Sequence, residues 1–171
     1  AKEAATMDYL SEGRLEFGIG AGWIKAEYDA IGLPFDEFPQ RFARCAEFVH
    51  AYKAFMTGEP LSIQGDFINW SGFSGLPGPA QHPHPPLMIG GGSKKILGFA
   101  GREADIVSLN FNNRAGMLGP DGMNSGLAAA TAQKIQWIRD GAGPRFDQLE
   151  LEIGAYNTIV TDHPVPTASA I

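Results

Sequence analysis

Apolar runs too short for helices recur along this chain, each separated from the next by a segment of helical periodicity. LEFGIG (residues 15–20), LMI (87–89), DIVSL (105–109) and the stretch 149–160 read as strands. Residues 1–10, 40–58, the segment opened by Lys94 and the stretch from about 127 to 140 read as helices. Nearly continuous apolar strands alternating with helices specify a parallel sheet covered by helices. Right-handed crossovers then leave an open doubly wound sheet or part of a barrel, and periodicity does not choose between them.

The clearest helix carries Phe42, Cys45, Phe48, Val49, Tyr52, Phe55 and Met56 at helical spacing, a core stripe that Gly58 stops. Cys45 lies in that stripe and reads as a buried structural thiol. It is the sole cysteine, which excludes an intrachain disulfide and a thiolate metal cluster. Residues 24–30 read as a short helix in an irregular segment. Residues 61–70 read as a strand or hairpin arm, 71–86 as turns, and 111–125 as a long loop. In the turn stretch QHPHPP, His82 and His84 alternate along an extended, proline-fixed backbone and point apart, so no metal site is expected.

Two glycine clusters follow strands. Gly18-Ile19-Gly20-Ala21-Gly22-Trp23 fits a dinucleotide fingerprint badly, because its third glycine comes one residue early and no clean helix opens behind it. Gly90-Gly91-Gly92-Ser93 lacks the Walker spacing but sits between a buried strand and a helix. It reads either as a phosphate cradle of converging N–H groups or as a plain turn, with Ser93 donating to an anion or capping the helix. In a parallel sheet the ends of all strands share one face, where α/β folds bind ligands, so the two clusters are expected on one rim.

Thirteen basic residues oppose 19 acidic ones, for a net charge of −6, and no basic stripe interleaves with aromatics. That excludes a general nucleic-acid surface but not a local anion site built from backbone N–H groups. No apolar run approaches the roughly 20 residues of a membrane span, so no membrane partner is expected and the expected compartment is the cytoplasm. The chain starts without methionine, in what reads as the middle of an amphipathic helix.

Three blocks in order, AKEAATMDYLSEGRLEFGIGAGW, HPHPPLMIGGGSKKILGFAGREADIVSLN and KIQWIRDGAGPRFDQLELEI, resemble the bacterial luciferase-like monooxygenase superfamily, including its coenzyme F420-dependent oxidoreductases. The resemblance implies an α/β fold, a partial (β/α)8 TIM barrel of parallel strands alternating with helices, corresponding to about strands 4 to 7. Residues 1–171 would then be a single luciferase-like barrel domain, incomplete at both ends. The missing barrel half would come from the rest of the chain or from another chain, as in a homo-oligomer.

The function it implies is F420-dependent oxidoreduction, a hydride passing between the deazaflavin and a small organic substrate. The alternatives are an FMN-dependent luciferase-like monooxygenase and a non-catalytic flavin-binding or structural fragment. Carried over by motif, Gly20, Ala21 and Gly22 form the loop after the fourth strand. Gly90, Gly91, Gly92 and Ser93 form the loop holding the cofactor phosphate, and Ser108, Leu109 and Asn110 lie near the ring system. No catalytic residue follows from the motifs. Trp23 stands where the sugar-phosphate-oxidising branch has a glutamate, which argues against that activity and leaves Trp23 to wall the pocket or pack beneath the loop. Asp36 and Glu37 read as solvated carboxylates in a segment placed like a substrate lid, and Arg114 as a candidate for an anionic cofactor tail.

Overall fold

The computed structural model describes residues 1–113, 116–117, 119–154 and 160–163. Helix α1 (Lys2–Leu10) leads to strand β1 (Phe17–Ile19), followed by α2 (Lys25–Ala30) and the long α3 (Phe38–Met56). Strands β2 (Leu61–Gln64) and β3 (Asn69–Phe73) pair as a separate antiparallel hairpin. Then come β4 (Leu87–Gly91), α4 (Lys94–Glu103), β5 (Ile106–Leu109), α5 (Pro120–Asn124), α6 (Ala128–Ala142), a 3-10 helix (Gly143–Gln148) and β6 (Glu150–Ile153).

Strands β1, β4, β5 and β6 form one sheet in that spatial order, every pair parallel. A doubly wound sheet reverses its order at a switch point; these four strands run in chain order without one. The arrangement is that of a partial TIM-barrel-like fold.

Strand alternation divides the sheet into two faces. Leu87, Ile89, Val107 and Leu109 face the helices and are buried with Val49, Tyr52, Phe55, Leu97 and Ile138. Each such large side chain contributes about 1.5–3 kcal/mol on leaving water. Alternate positions, Gly18, Met88, Gly90 and Ser108, carry the opposite face. Helices α4 and α6 touch backbone to backbone. A Cβ on Gly141 would run into the Gly98 carbonyl, and one on Gly101 into that of Ile138.

Where the structure departs from the sequence reading, the causes are local. Helix α3 starts at Phe38, because Pro39 in its first turn has no amide hydrogen to lose there. Residues 120–124 form a short helix inside the stretch read as loop; its Pro120 and Gly122 mask the helical signal. Strand β6 stops at Ile153, and residues 155–159 of the expected strand lie outside the described residues. Burial pushes the Cys45 thiol up to about 11, in keeping with an inert structural role. Among the described residues no helix is long and apolar enough to cross a membrane.

The carboxylate of Asp8 in α1 fixes how β1 enters the sheet. It is fully buried and accepts hydrogen bonds from Gln81 N (2.8 Å) and Gln81 Nε2 (2.7 Å), while Gln81 Nε2 also donates to Leu15 O (2.8 Å). Burial is the largest single influence and opposes ionisation, but the hydrogen bonds from Gln81, with those of the Ala80 and Leu15 backbone, together outweigh it and hold the carboxyl below its usual range. A depressed folded value contributes stability above the unfolded carboxyl range and loses it as pH falls through the folded value. Asp8→Asn is therefore expected to lower the melting temperature at neutral pH by about 5 °C. It should also flatten part of the decline that the unsubstituted chain shows on acidification below about pH 4. Parallel melting curves over pH for the two proteins would count against this role.

Candidate functional site

Strands β1, β4 and β5 end on one rim, and the loops that follow them line a single cleft of about 1180 Å³. Both glycine clusters are in it. Gly20, Ala21 and Gly22 line it from the loop after β1, and Gly90, Gly91, Gly92 and Ser93 from the end of β4 and the turn into α4.

The glycines are needed because the loops touch. A side chain on Gly92 would run into the carbonyl of Phe111 and stand 2.7 Å from that of Asn110, while one on Gly91 would strike Ile96. A Cβ on Gly90 would lie 3.0 Å from Asn110 Nδ2. Gly22 has φ +73, and a side chain there would also meet the Tyr28 hydroxyl. Gly20 is less constrained, since its Cβ would be in ordinary contact with Gly90 O at 3.6 Å. Crowding and ligand binding are thus compatible readings of the same residues.

Ser93 is the N-cap residue of α4, yet its hydroxyl makes no capping bond. Ser93 Oγ is buried without a hydrogen-bond partner among the described residues, as is Asn113 Oδ1, and both residues line the cleft. A buried polar atom left unpaired costs about 1–3 kcal/mol, so each of these two calls for a partner from outside the chain, a water or a ligand. The first intrahelical bond of α4 is Leu97 N to Ser93 O. The amides before it have no acceptor within the helix, and the helix dipole adds partial positive charge at that end. Of the two rim lysines, Lys95 places its ammonium 4.4 Å from the centre of the Phe42 ring.

From β5, Ser108 and Asn110 line the cleft, whereas Leu109 turns into the helix-facing core. Strand alternation therefore separates Leu109, which faces the core, from Ser108 and Asn110, which face the cleft. Asn110 N donates to Gly91 O at 2.9 Å, and its Nδ2 to Ser108 Oγ at 3.3 Å, which locks the β5 end to the β4 end.

The sequence reading missed Arg41. It is 8% exposed and lines the cleft from α3. Its Nε donates to Asp36 O at 2.9 Å, and its Nη1 to Gly22 O and, at 3.4 Å, to Ala21 O. The guanidinium lies 4.1 Å from the centre of the Phe35 ring. It thereby holds the β1 loop and the segment before α3 in one piece. The available signal was position: Arg41 stands one helical turn before Cys45 on the core stripe.

Trp23, 41% exposed, is on the cleft wall, which settles its two sequence readings in favour of the wall. Asp36 and Glu37 also line the cleft, but the Asp36 carboxylate is engaged by Arg44 at 2.6 Å. Arg114 lies outside the described residues. His84 Nδ1 is 2.9 Å from Pro85 O, before β4 and away from the rim. Among the described residues no three His, Cys, Asp or Glu side chains gather as a metal site requires.

The sequence model of the luciferase-like monooxygenase family matches residues 1–119. Over 117 residues the chain is 36% identical to an FMNH2-dependent dimethylsulfone monooxygenase of Pseudomonas putida, an alignment covering 68% of this chain and 32% of that protein. The chain thus spans about a third of the length of that relative. Among solved structures, riboflavin lyase with modified FMN and riboflavin superposes with a TM-score of 0.73 at 17% identity, covering 98% of this chain and 40% of the other. An F420-dependent secondary alcohol dehydrogenase in complex with an F420–acetone adduct gives 0.69 at 21% identity, covering 89% and 42%. The superpositions bear on the fold, and they extend the likeness past residue 119 into α6 and β6. The chain belongs to the luciferase-like monooxygenase family.

Proposed function

We propose that the full-length protein is an FMN-dependent monooxygenase acting on a small organic substrate. Residues 1–171 would be one barrel domain whose strands β1, β4, β5 and β6 take the fourth to seventh places, the other strands coming from the rest of the chain. The family resemblance by itself places F420 first. The 36%-identical relative, named for its use of FMNH2, supports FMN instead. The neighbours in fold include FMN and F420 proteins and favour neither.

The observation that carries the reading is the buried Ser93 hydroxyl at the start of α4, without a partner among the described residues, inside the cleft shared by both glycine clusters. These residues fit a flavin phosphate. Ser93 Oγ and the first-turn amides of α4 would hold it, and the small Gly91 and Gly92 let the backbone come close. Gly20, Ala21, Gly22 and Asn110 would flank the ring, the Asn110 amide bonding to ring heteroatoms. Trp23 and Phe35 would wall it from water. When bound, reduced FMN supplies the reactivity toward molecular oxygen; the protein supplies grip, aim and a dry cleft.

The test is titration of the full-length protein with FMN and with F420, followed by protein fluorescence. FMN is expected to bind at least about tenfold more tightly than F420, and Ser93→Ala to weaken FMN by about tenfold through loss of one hydrogen bond to an anion. Tight binding of F420 with none of FMN would reverse the cofactor assignment. Unchanged FMN affinity in Ser93→Ala would remove the phosphate from α4.

A further inference from the structure

Lys134 is an expensive residue to keep where it is. It occupies the core stripe of α6, in line with Ile138 and Ala142 at four-residue spacing, and is 4% exposed. Among the described residues no carboxylate lies within ion-pair distance of it. Burial accordingly pulls its ammonium below the ordinary lysine range. A buried cation without a counter-charge is costly to keep unless well-placed hydrogen bonds compensate it.

Those bonds all converge on the loop after β5. Lys134 Nζ donates to Asn110 O at 2.7 Å and to Ser125 O at 2.6 Å. Ser125 in turn accepts from Asn112 N through its Oγ at 2.8 Å. The Asn110 amide is held from the other side by Gly91 O. One ammonium thus joins the end of β5, the end of α5 and the buried face of α6. The backbone it pins, Asn110 to Phe111, is the surface against which Gly92 packs.

We infer that Lys134 is a positioning residue for the cleft: it fixes the carbonyl of Asn110, and through it the wall that Asn110, Phe111 and Asn112 present to a ligand. It touches neither cofactor nor substrate and acts through that backbone. The effect on ligand affinity rests on the flavin reading of the cleft; the effect on the loop does not.

The experiment uses the full-length protein and two readouts, amide hydrogen exchange and FMN titration, on Lys134→Met and Lys134→Arg. Methionine keeps the apolar stem and removes the donors. In Lys134→Met the amides of Asn110 and Asn112 are expected to exchange about tenfold faster, while those of Met88 and Ile89 in β4 stay unchanged. FMN affinity should fall about tenfold as well. Arginine, which can donate to both carbonyls, should restore most of each. If Lys134→Met does not fold, Lys134→Gln is read by the same two measurements. Unchanged exchange at Asn110 and Asn112 overturns the inference. Faster exchange with undiminished FMN affinity overturns the link between Lys134 and the cleft. Absence of FMN binding by the unsubstituted protein removes the flavin reading alone, and exchange still decides the role of Lys134.

Discussion

Gly92→Ala is expected to weaken FMN binding by the full-length protein by about 100-fold, the effect of roughly 2.7 kcal/mol. The added methyl would overlap the Phe111 carbonyl and lie 2.7 Å from Asn110 O. Both obstacles are backbone, so no side-chain rotation relieves the clash. The β4 and β5 ends must part, and the bond from Asn110 N to Gly91 O is strained or broken. That movement displaces Ser93 and the first-turn amides of α4 together, and a cradle of several short donors loses its geometry at once. Gly78→Ala is the matched control. Gly78 lies outside the cleft and its methyl would meet nothing within 4 Å, so affinity should change by less than about threefold. Fluorescence titration of the two variants, with melting curves to confirm folding, decides the point. Near-native affinity in folded Gly92→Ala would show that the ligand does not depend on this contact.

What could be read from the residues alone was local. The run from Leu87 into three glycines and then Lys94 announces a strand, a tight turn and a helix, and the structure has them in those places. The same residues could not say whether the sheet is doubly wound or part of a barrel, because strand order is set by contacts across dozens of residues. Nor could they separate FMN from F420, since both carry an anionic tail and a glycine-rich turn into a helix offers the same amide donors to either.

Arg41 and Lys134 were missed for a common reason. Helical stripes are traced by apolar residues, and each of these cations sits one turn beyond such a trace, before Cys45 and before Ile138. Extending a stripe by one turn and finding a cation there is a readable signal. It marks a place where the core ends against backbone carbonyls that need a donor.

Arg41→Leu tests that idea where the demand is greatest, and it is expected to destabilise the protein by about 3 kcal/mol. Leucine fills part of the space but leaves the carbonyls of Ala21, Gly22 and Asp36 without their donor, and Phe35 without its cation. The cost is less than the sum of separate deletions, because the β1 loop can relax toward water in the cleft. Arg41→Lys distinguishes charge from geometry. A single ammonium keeps the charge but donates from one point, so it cannot occupy both the Nε position that meets Asp36 O and the Nη1 position that meets the Ala21 and Gly22 carbonyls, and it should recover less than half of the loss. Denaturant unfolding of the three proteins gives the stabilities, and FMN titration of the folded variants shows whether the β1 wall has moved. Should Arg41→Leu unfold within about 1 kcal/mol of the parent, the guanidinium would not be what joins the loop to α3. Should lysine serve as well as arginine, the buried charge and not the fork of donors would be the reason for its place on the stripe.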